Sequence, residues 1–192
     1  MEEDKNSESC TYLISNGIYS NAHKPSTFDF PWSPRKWFVN LLKYYRTDNQ
    51  PVKILENLYL GSIGASVFKQ NLQNIGITHI LIVAGQLSPV FPNDFIYKKL
   101  KIFDLPGSNI FSAFDEAFQF IDEGRAHGKV LVHCYAGRSR SGAVCVGYVM
   151  REKHLSLTDA LSYVQEKRPK CLPNKGFMSQ LKLYENTLAR GY

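Results

Sequence analysis

The chain has no apolar run approaching the ~20 residues that a membrane-spanning helix requires. Its N-terminus, Met1-Glu2-Glu3-Asp4-Lys5, also lacks the charge order of a secretory signal. No membrane span is expected, and an intracellular address, cytoplasmic or nuclear, is. Cysteine is scarce: Cys10, Cys134, Cys145 and Cys171 form no CxxC pair. That argues against a disulfide scaffold and suits a reducing compartment in which a thiol can be left for chemistry. His133 and Cys134 are adjacent, but no second pair stands at ligand spacing, so no metal and no other cofactor is expected. Internal repeats, low-complexity tracts and the nucleotide-binding GxxxxGK[ST] pattern are all missing.

What is present suits one globular core with an appendage. In 192 residues, 44% are apolar and 13% aromatic, enough burial to offset the entropy of ordering most of the chain. Lys and Arg outnumber Asp and Glu by 23 to 17, a net charge of +6 that favours anionic partners; a nucleic acid is not among those expected. Residues 1–50 read as an N-terminal extension, partly disordered over its first thirty residues. A helix is expected over 34–46, where Ser33-Pro34 begins it and Trp37, Phe38, Leu41, Leu42 and Tyr45 recur at helical spacing. With Arg35, Lys36, Lys43 and Arg46 beside them, these residues could dock an acidic or calmodulin-like partner, although such a stripe more often packs on its own domain.

From Val52 strands and helices alternate. Strands are expected over Ile54–Leu60, Thr78–Val83, Phe95–Phe103 and Val130–His133. Helices are expected over Ala65–Asn74, Ile110–Ala126, Ser141–Lys153, Leu157–Lys167 and Lys175–Leu188, with Ser156 and Asn174 as N-caps. The fold class is α/β, a central mostly parallel sheet flanked by helices.

The most informative stretch is Lys129-Val130-Leu131-Val132-His133-Cys134-Tyr135-Ala136-Gly137-Arg138-Ser139-Arg140-Ser141-Gly142, a buried strand that turns through a tight loop into a helix. Backbone N–H groups at such a turn converge, and with the helix dipole they make a seat for an anion, phosphate above all. The same field stabilises a thiolate, so Cys134 is expected to be nucleophilic at neutral pH. Arg140 can return over the loop with two parallel N–H donors, a planar fork that lysine lacks. Gly137 permits the turn, and Tyr135, Ala136, Arg138 and Ser139 complete the binding loop. His133 is expected to order the loop rather than shuttle protons. Ser141 can donate its hydroxyl to the sulfur, cap the helix, or both. Cys134 alone would read as an inert core thiol, but His before it and Arg six residues on make that remote.

Those residues resemble the cysteine-dependent protein tyrosine phosphatase superfamily, whose loop is HCx5R followed by Ser or Thr, and its dual-specificity branch in particular. Leu58-Tyr59-Leu60-Gly61-Ser62, Gly76-Ile77-Thr78-His79-Ile80-Leu81, Arg168-Pro169 and Pro173-Asn174 are similar to other segments of that branch. The resemblance covers about residues 52–188 and implies a catalytic domain over 51–190 with a protein tyrosine phosphatase-like fold. Ile82 departs from it, standing where the family often has Asn.

Expelling an alkoxide or phenoxide from phosphorus requires a proton, and Asp104 in Phe103-Asp104-Leu105-Pro106-Gly107-Ser108-Asn109 is the expected general acid. Its position about thirty residues before the cysteine, with Asn109-Ile110 following, agrees with the resemblance. A turn-capping role for Asp104 is the bland reading, and Asp115 is the runner-up acid. The resemblance implies hydrolysis of phosphotyrosine and of phosphoserine or phosphothreonine in proteins, through a cysteinyl-phosphate. No counterpart of the tyrosine-bearing loop that walls deep phosphotyrosine pockets is recognised, so a shallow cleft is expected. Phosphoinositides or other nonprotein phosphates are the alternative substrates, and a non-catalytic phosphoprotein-binding module is a third reading. Cys145 or Cys171 could capture an oxidised Cys134, with buried inert thiols as the plainer expectation.

Overall fold

The computed structural model describes Tyr44 and residues 47–190. The helix expected over 34–46, apart from Tyr44, lies outside the described residues, as does Cys10. Five strands form one sheet in the order β1-β2-β5-β3-β4: β1 (Val52–Leu55), β2 (Leu58–Gly61), β3 (Ile77–Val83), β4 (Ile96–Leu100) and β5 (Lys129–His133). Only the β1–β2 pair is antiparallel; β2–β5, β5–β3 and β3–β4 are parallel.

A parallel strand covered on both faces by helices must be apolar throughout rather than alternating. In β5, Val130 and Val132 enter one core while Leu131 enters the other; in β3, Leu81 and Val83 divide from Ile80 and Ile82 in the same way. The smaller core is closed by α1 (Ile63–Ser66) and α2 (Lys69–Ile75). The larger is closed by α3 (Phe114–His127), α4 (Arg140–Lys153), α5 (Leu157–Lys167) and α6 (Lys175–Ala189). Helix α4 is its axis, buried continuously from Arg140 to Met150.

Four expected elements differ in their limits. The strand expected over Ile54–Leu60 is a hairpin, because Asn57 adopts φ +60° and reverses the chain between Leu55 and Leu58. The helix expected over Ala65–Asn74 is two, broken where Phe68 leaves helical geometry at φ −105°, ψ 87°. Strand β4 stops at Leu100, opposite Val83, where β3 also ends; one further backbone bond, from the Gly85 N–H to Ile102 O at 3.3 Å, holds the chain before it runs on to Asp104. The helix expected from Ile110 opens as a 3-10 turn, Phe111–Ala113, where the Ser112 N–H donates to Asn109 Oδ1 at 3.1 Å. Ser156 and Asn174 cap α5 and α6 as expected, accepting from the N–H groups of Asp159 and Phe177.

Candidate active site

The central strand β5 delivers the chain into the loop 134–139 at the carboxyl end of the parallel strands, where open α/β sheets bind ligands. Cys134 follows its last residue and is 1% exposed. The loop carbonyls are all tied to surrounding protein. Cys134 O faces His133 Nδ1 at 3.2 Å, and Tyr135 O accepts from the Ile63 N–H at 3.0 Å. Ala136 O and Gly137 O accept from Arg168, at 3.4 and 2.8 Å, and Arg138 O accepts from the Leu172 N–H at 3.0 Å. In a planar trans peptide the N–H opposes the C=O. The N–H groups of residues 135–139 therefore point away from those donors, as an anion-binding nest requires.

Gly137 sits at φ +61°, and a Cβ there would lie 2.5 Å from both Gly61 O and an Arg168 guanidinium nitrogen. No other residue fits that position without moving the loop. The 3%-exposed Arg168 is held in turn by Asp48, whose carboxylate receives its two terminal nitrogens at 3.1 and 2.8 Å. The loop is thus braced from α5's end and from the segment preceding β1.

Ser141 lies buried in the first turn of α4 and donates its hydroxyl to Cys134 Sγ at 3.1 Å. It is not the helix cap; that position belongs to Ser139. Ser139 donates instead to Asp104 Oδ1 at 2.6 Å and accepts from the Asn174 N–H at 3.1 Å. Arg140 is 4% exposed; its Nη1 donates to Gln86 Oε1 at 3.2 Å, and its Nε stands 3.5 Å from Asp104 Oδ2. The second contact is an ion pair too long for a good hydrogen bond, so this buried guanidinium is engaged loosely.

Asp104 is brought to the loop by α6. Asn174 Nδ2 donates to Asp104 Oδ1 at 3.0 Å while Asn174 Oδ1 caps the helix. Gln180 accepts from the Ile110 and Phe111 N–H groups and donates to Ser108 O, fixing the far end of the loop that bears Asp104. Gly176 lets that loop lie flat on the helix: a Cβ there would fall 1.9 Å from Pro106 O. Asp115 is placed elsewhere, exposed in the first turn of α3. It lines a groove of about 740 Å³ with Phe114, Met150, Arg151, Tyr184 and Leu188. Met150 and Arg151 lie near the C-terminal end of α4, roughly 15 Å along that helix from Ser141, the residue that touches Cys134.

Burial pushes the His133 imidazole down to about 4, with its hydrogen bond to Cys134 O opposing and the Arg140 charge assisting. Neutral at pH 7, it orders the loop through Cys134 O. Arg138 is exposed on the rim, its Nε donating to Lys170 O at 3.2 Å. Tyr135 is half-buried, and its ring meets that of Tyr44 edge to face at 5.5 Å. Cys145 and Cys171 are fully buried, and burial raises both thiols, Cys171 to about 12. Such thiols stay protonated and attack poorly. Among the described residues no group of three His, Cys, Asp or Glu side chains is placed to hold a metal ion, and no helix is long and apolar enough to cross a membrane.

The structure therefore brings together Cys134, Ser139, Arg140, Ser141 and Asp104, and leaves Asp115 out. The sequence reading missed Asp48, Arg168, Gln86, Gln180 and the second contact of Asn174. Arg168 alone carried a signal, a charged residue that belonged to a recognised segment without a role.

Comparison with known proteins gives consistent matches. The family model of the dual specificity phosphatase catalytic domain matches residues 58–187. The dual specificity protein phosphatase 1 of Arabidopsis thaliana is 42% identical over 151 residues, which cover 78% of this chain and 76% of that protein. Two human crystal structures are similar. DUSP28 has a TM-score of 0.69 at 34% identity, covering 72% of this chain and 95% of that one. The tyrosine phosphatase-like serine/threonine/tyrosine-interacting protein has a TM-score of 0.68 at 39% identity, covering 73% and 99%.

Proposed function

The chain belongs to the dual specificity phosphatase family, and from that membership we propose that Cys134 is the nucleophile, Arg140 the phosphate clamp and Asp104 the general acid. The activity is that of a protein phosphatase acting on phosphotyrosine and on phosphoserine or phosphothreonine through a cysteinyl-phosphate. In the first step the Cys134 thiolate attacks phosphorus, and the bond to the leaving oxygen breaks as Asp104 gives that oxygen its proton. In the second, water attacks the phosphocysteine, Asp104 takes a proton back, and sulfur departs with the Ser141 hydroxyl directed at it. Arg140 and the amides of residues 135–139 bind the phosphoryl oxygens and hold them more tightly as charge gathers there.

The observation that carries this reading is a pair of side-chain groups borne by consecutive residues at the start of α4: Ser141 bonded to Cys134 Sγ, and Asp104 shared between Ser139, Asn174 and Arg140. A dianionic phosphate is a stronger partner for Arg140 than a 3.5 Å contact to Asp104 or an amide oxygen of Gln86. Its arrival would turn the guanidinium to the substrate and release Asp104 toward the leaving group.

The test is phosphate release from phosphotyrosine and phosphothreonine peptides and from phosphoinositides. Cys134→Ser is expected to abolish turnover while keeping substrate affinity. Asp104→Ala is expected to cost ~10²–10⁴ in kcat on the peptides and much less on p-nitrophenyl phosphate. Wild-type rates from Cys134→Ser would refute the covalent route.

A further inference from the structure

The three guanidinium nitrogens of Arg140 are not used alike. Nη1 donates to Gln86 Oε1 at 3.2 Å. Nε is buried without a hydrogen-bond partner and stands 3.5 Å from Asp104 Oδ2. Nη2 has no hydrogen-bond partner among the described residues. On the side-on edge of a guanidinium, Nε–H and one N–H of Nη2 run parallel, and together they can take two oxygens of a carboxylate or a phosphate. In Arg140 that edge is unengaged, while the nitrogen outside it is held. Buried donors are ordinarily satisfied, and an oxyanion on this edge would account for the exception at Nε.

Gln86 lies outside the loop that carries Cys134 and Arg140. Strand β3 ends at Val83 and the chain turns at once, the Leu87 N–H donating to Ala84 O at 3.4 Å and the Gly85 N–H to Ile102 O at 3.3 Å. Ala84 and Leu87 are buried in the smaller core. The backbone on either side of Gln86 is therefore fixed, and from this exposed position its side chain reaches a guanidinium that is 4% exposed. Arginine only donates, so the amide oxygen is the atom that Gln86 must present. An uncharged acceptor holds the nitrogen without neutralising the cation, as a carboxylate in the same place would.

We propose that Gln86 is a positioning residue for Arg140, holding Nη1 so that the Nε–Nη2 edge stays open to the phosphate. The proposal rests on the clamp role given to Arg140 above and adds the group that aims the clamp. Arriving phosphate displaces the long contact to Asp104, and the guanidinium turns to it about the nitrogen that Gln86 holds. Because the fork is oriented before the substrate enters, the contribution of Gln86 falls on binding rather than on the later steps.

The experiment is a double-mutant cycle on oxyanion affinity. The Kd for tungstate, a tetrahedral dianion like phosphate, is measured by titration calorimetry on the full chain for wild type, Gln86→Leu, Arg140→Lys and the double variant, each first checked by thermal melting. Gln86→Leu keeps bulk without an acceptor, and Arg140→Lys keeps the charge without the fork. Gln86→Leu is expected to weaken tungstate ~10-fold when Arg140 is intact, and to add nothing in the Arg140→Lys background. The KM for p-nitrophenyl phosphate should rise in step with that Kd while kcat stays within ~2-fold, a split that general loosening of the site would not give. An unchanged Kd in Gln86→Leu, an equal loss in both backgrounds, or a fall in kcat alone would overturn the proposal. Failure of the clamp reading looks different: Arg140→Lys would bind tungstate as tightly as wild type, and Gln86 would have nothing to act through.

Discussion

His133 should make the protein acid-sensitive in a defined window. Its imidazole is 3% exposed, and burial holds it at about 4 against an ordinary 6.5. Above pH 6.5 it is neutral in both the folded and the unfolded chain and has no effect. As pH falls from 6.5 toward 4, the unfolded chain takes up a proton that the folded protein refuses, so stability declines with pH. The linkage relation puts the loss at about 2 kcal/mol by pH 5 and about 3 kcal/mol by pH 4, a large share of an ordinary domain's stability. Urea unfolding from pH 7.5 to 4, run on wild type and His133→Asn, isolates the contribution as the difference in slope. The variant should be less stable at pH 7.5, because the bond to Cys134 O is altered, but its stability should fall less steeply below pH 6.5. Parallel curves for the two proteins would refute the assignment of a buried, neutral imidazole.

Asp48→Ala should strand a buried guanidinium and cost ~3–5 kcal/mol in urea unfolding, with a loss of activity because Arg168 no longer steadies the carbonyls of 136 and 137. Gly176→Ala should lower the melting temperature and reduce kcat on phosphothreonine peptides more than on p-nitrophenyl phosphate. Its Cβ displaces Pro106 and with it Asp104, whose proton matters most when the leaving group is poor.

The loop was legible because its chemistry is local. A strand, a nest of amides, a cysteine and an arginine six residues on are consecutive in sequence, and backbone geometry alone brings them together. Asp104 was legible for a related reason: a carboxylate after a strand, with Pro and Gly following, marks a shaped loop. The residues that hold these groups were not legible. Arg168 reaches Asp48 across 120 positions and Asp104 reaches Asn174 across 70, and neither pairing leaves a spacing to recognise. Asn174 shows the limit well, since its cap was predictable from Pro173-Asn174 while its second bond depended on where the acid loop lands. The hairpin at Asn57 was hidden because neither Gly nor Pro marks it.

The division between legible and hidden residues has a mechanistic counterpart. The groups proposed to make and break bonds sit on one short segment plus Asp104, whereas the groups that hold them come from the residues before β1, the segment after β3, the end of α5 and α6. A fold of this kind could bind a phosphate without turning it over, so the sheet itself does not decide between catalysis and recognition. The decision rests on Asp104 and Ser141. In the proposed mechanism, without the first a poor leaving group must depart as an unprotonated alkoxide and the phosphocysteine forms slowly; without the second, the sulfur is a worse leaving group and the intermediate persists. Both are present and hydrogen-bonded at the site. In the proposed mechanism Arg140 links Asp104 to the substrate, because the guanidinium proposed to grip the phosphate stands 3.5 Å from that carboxylate.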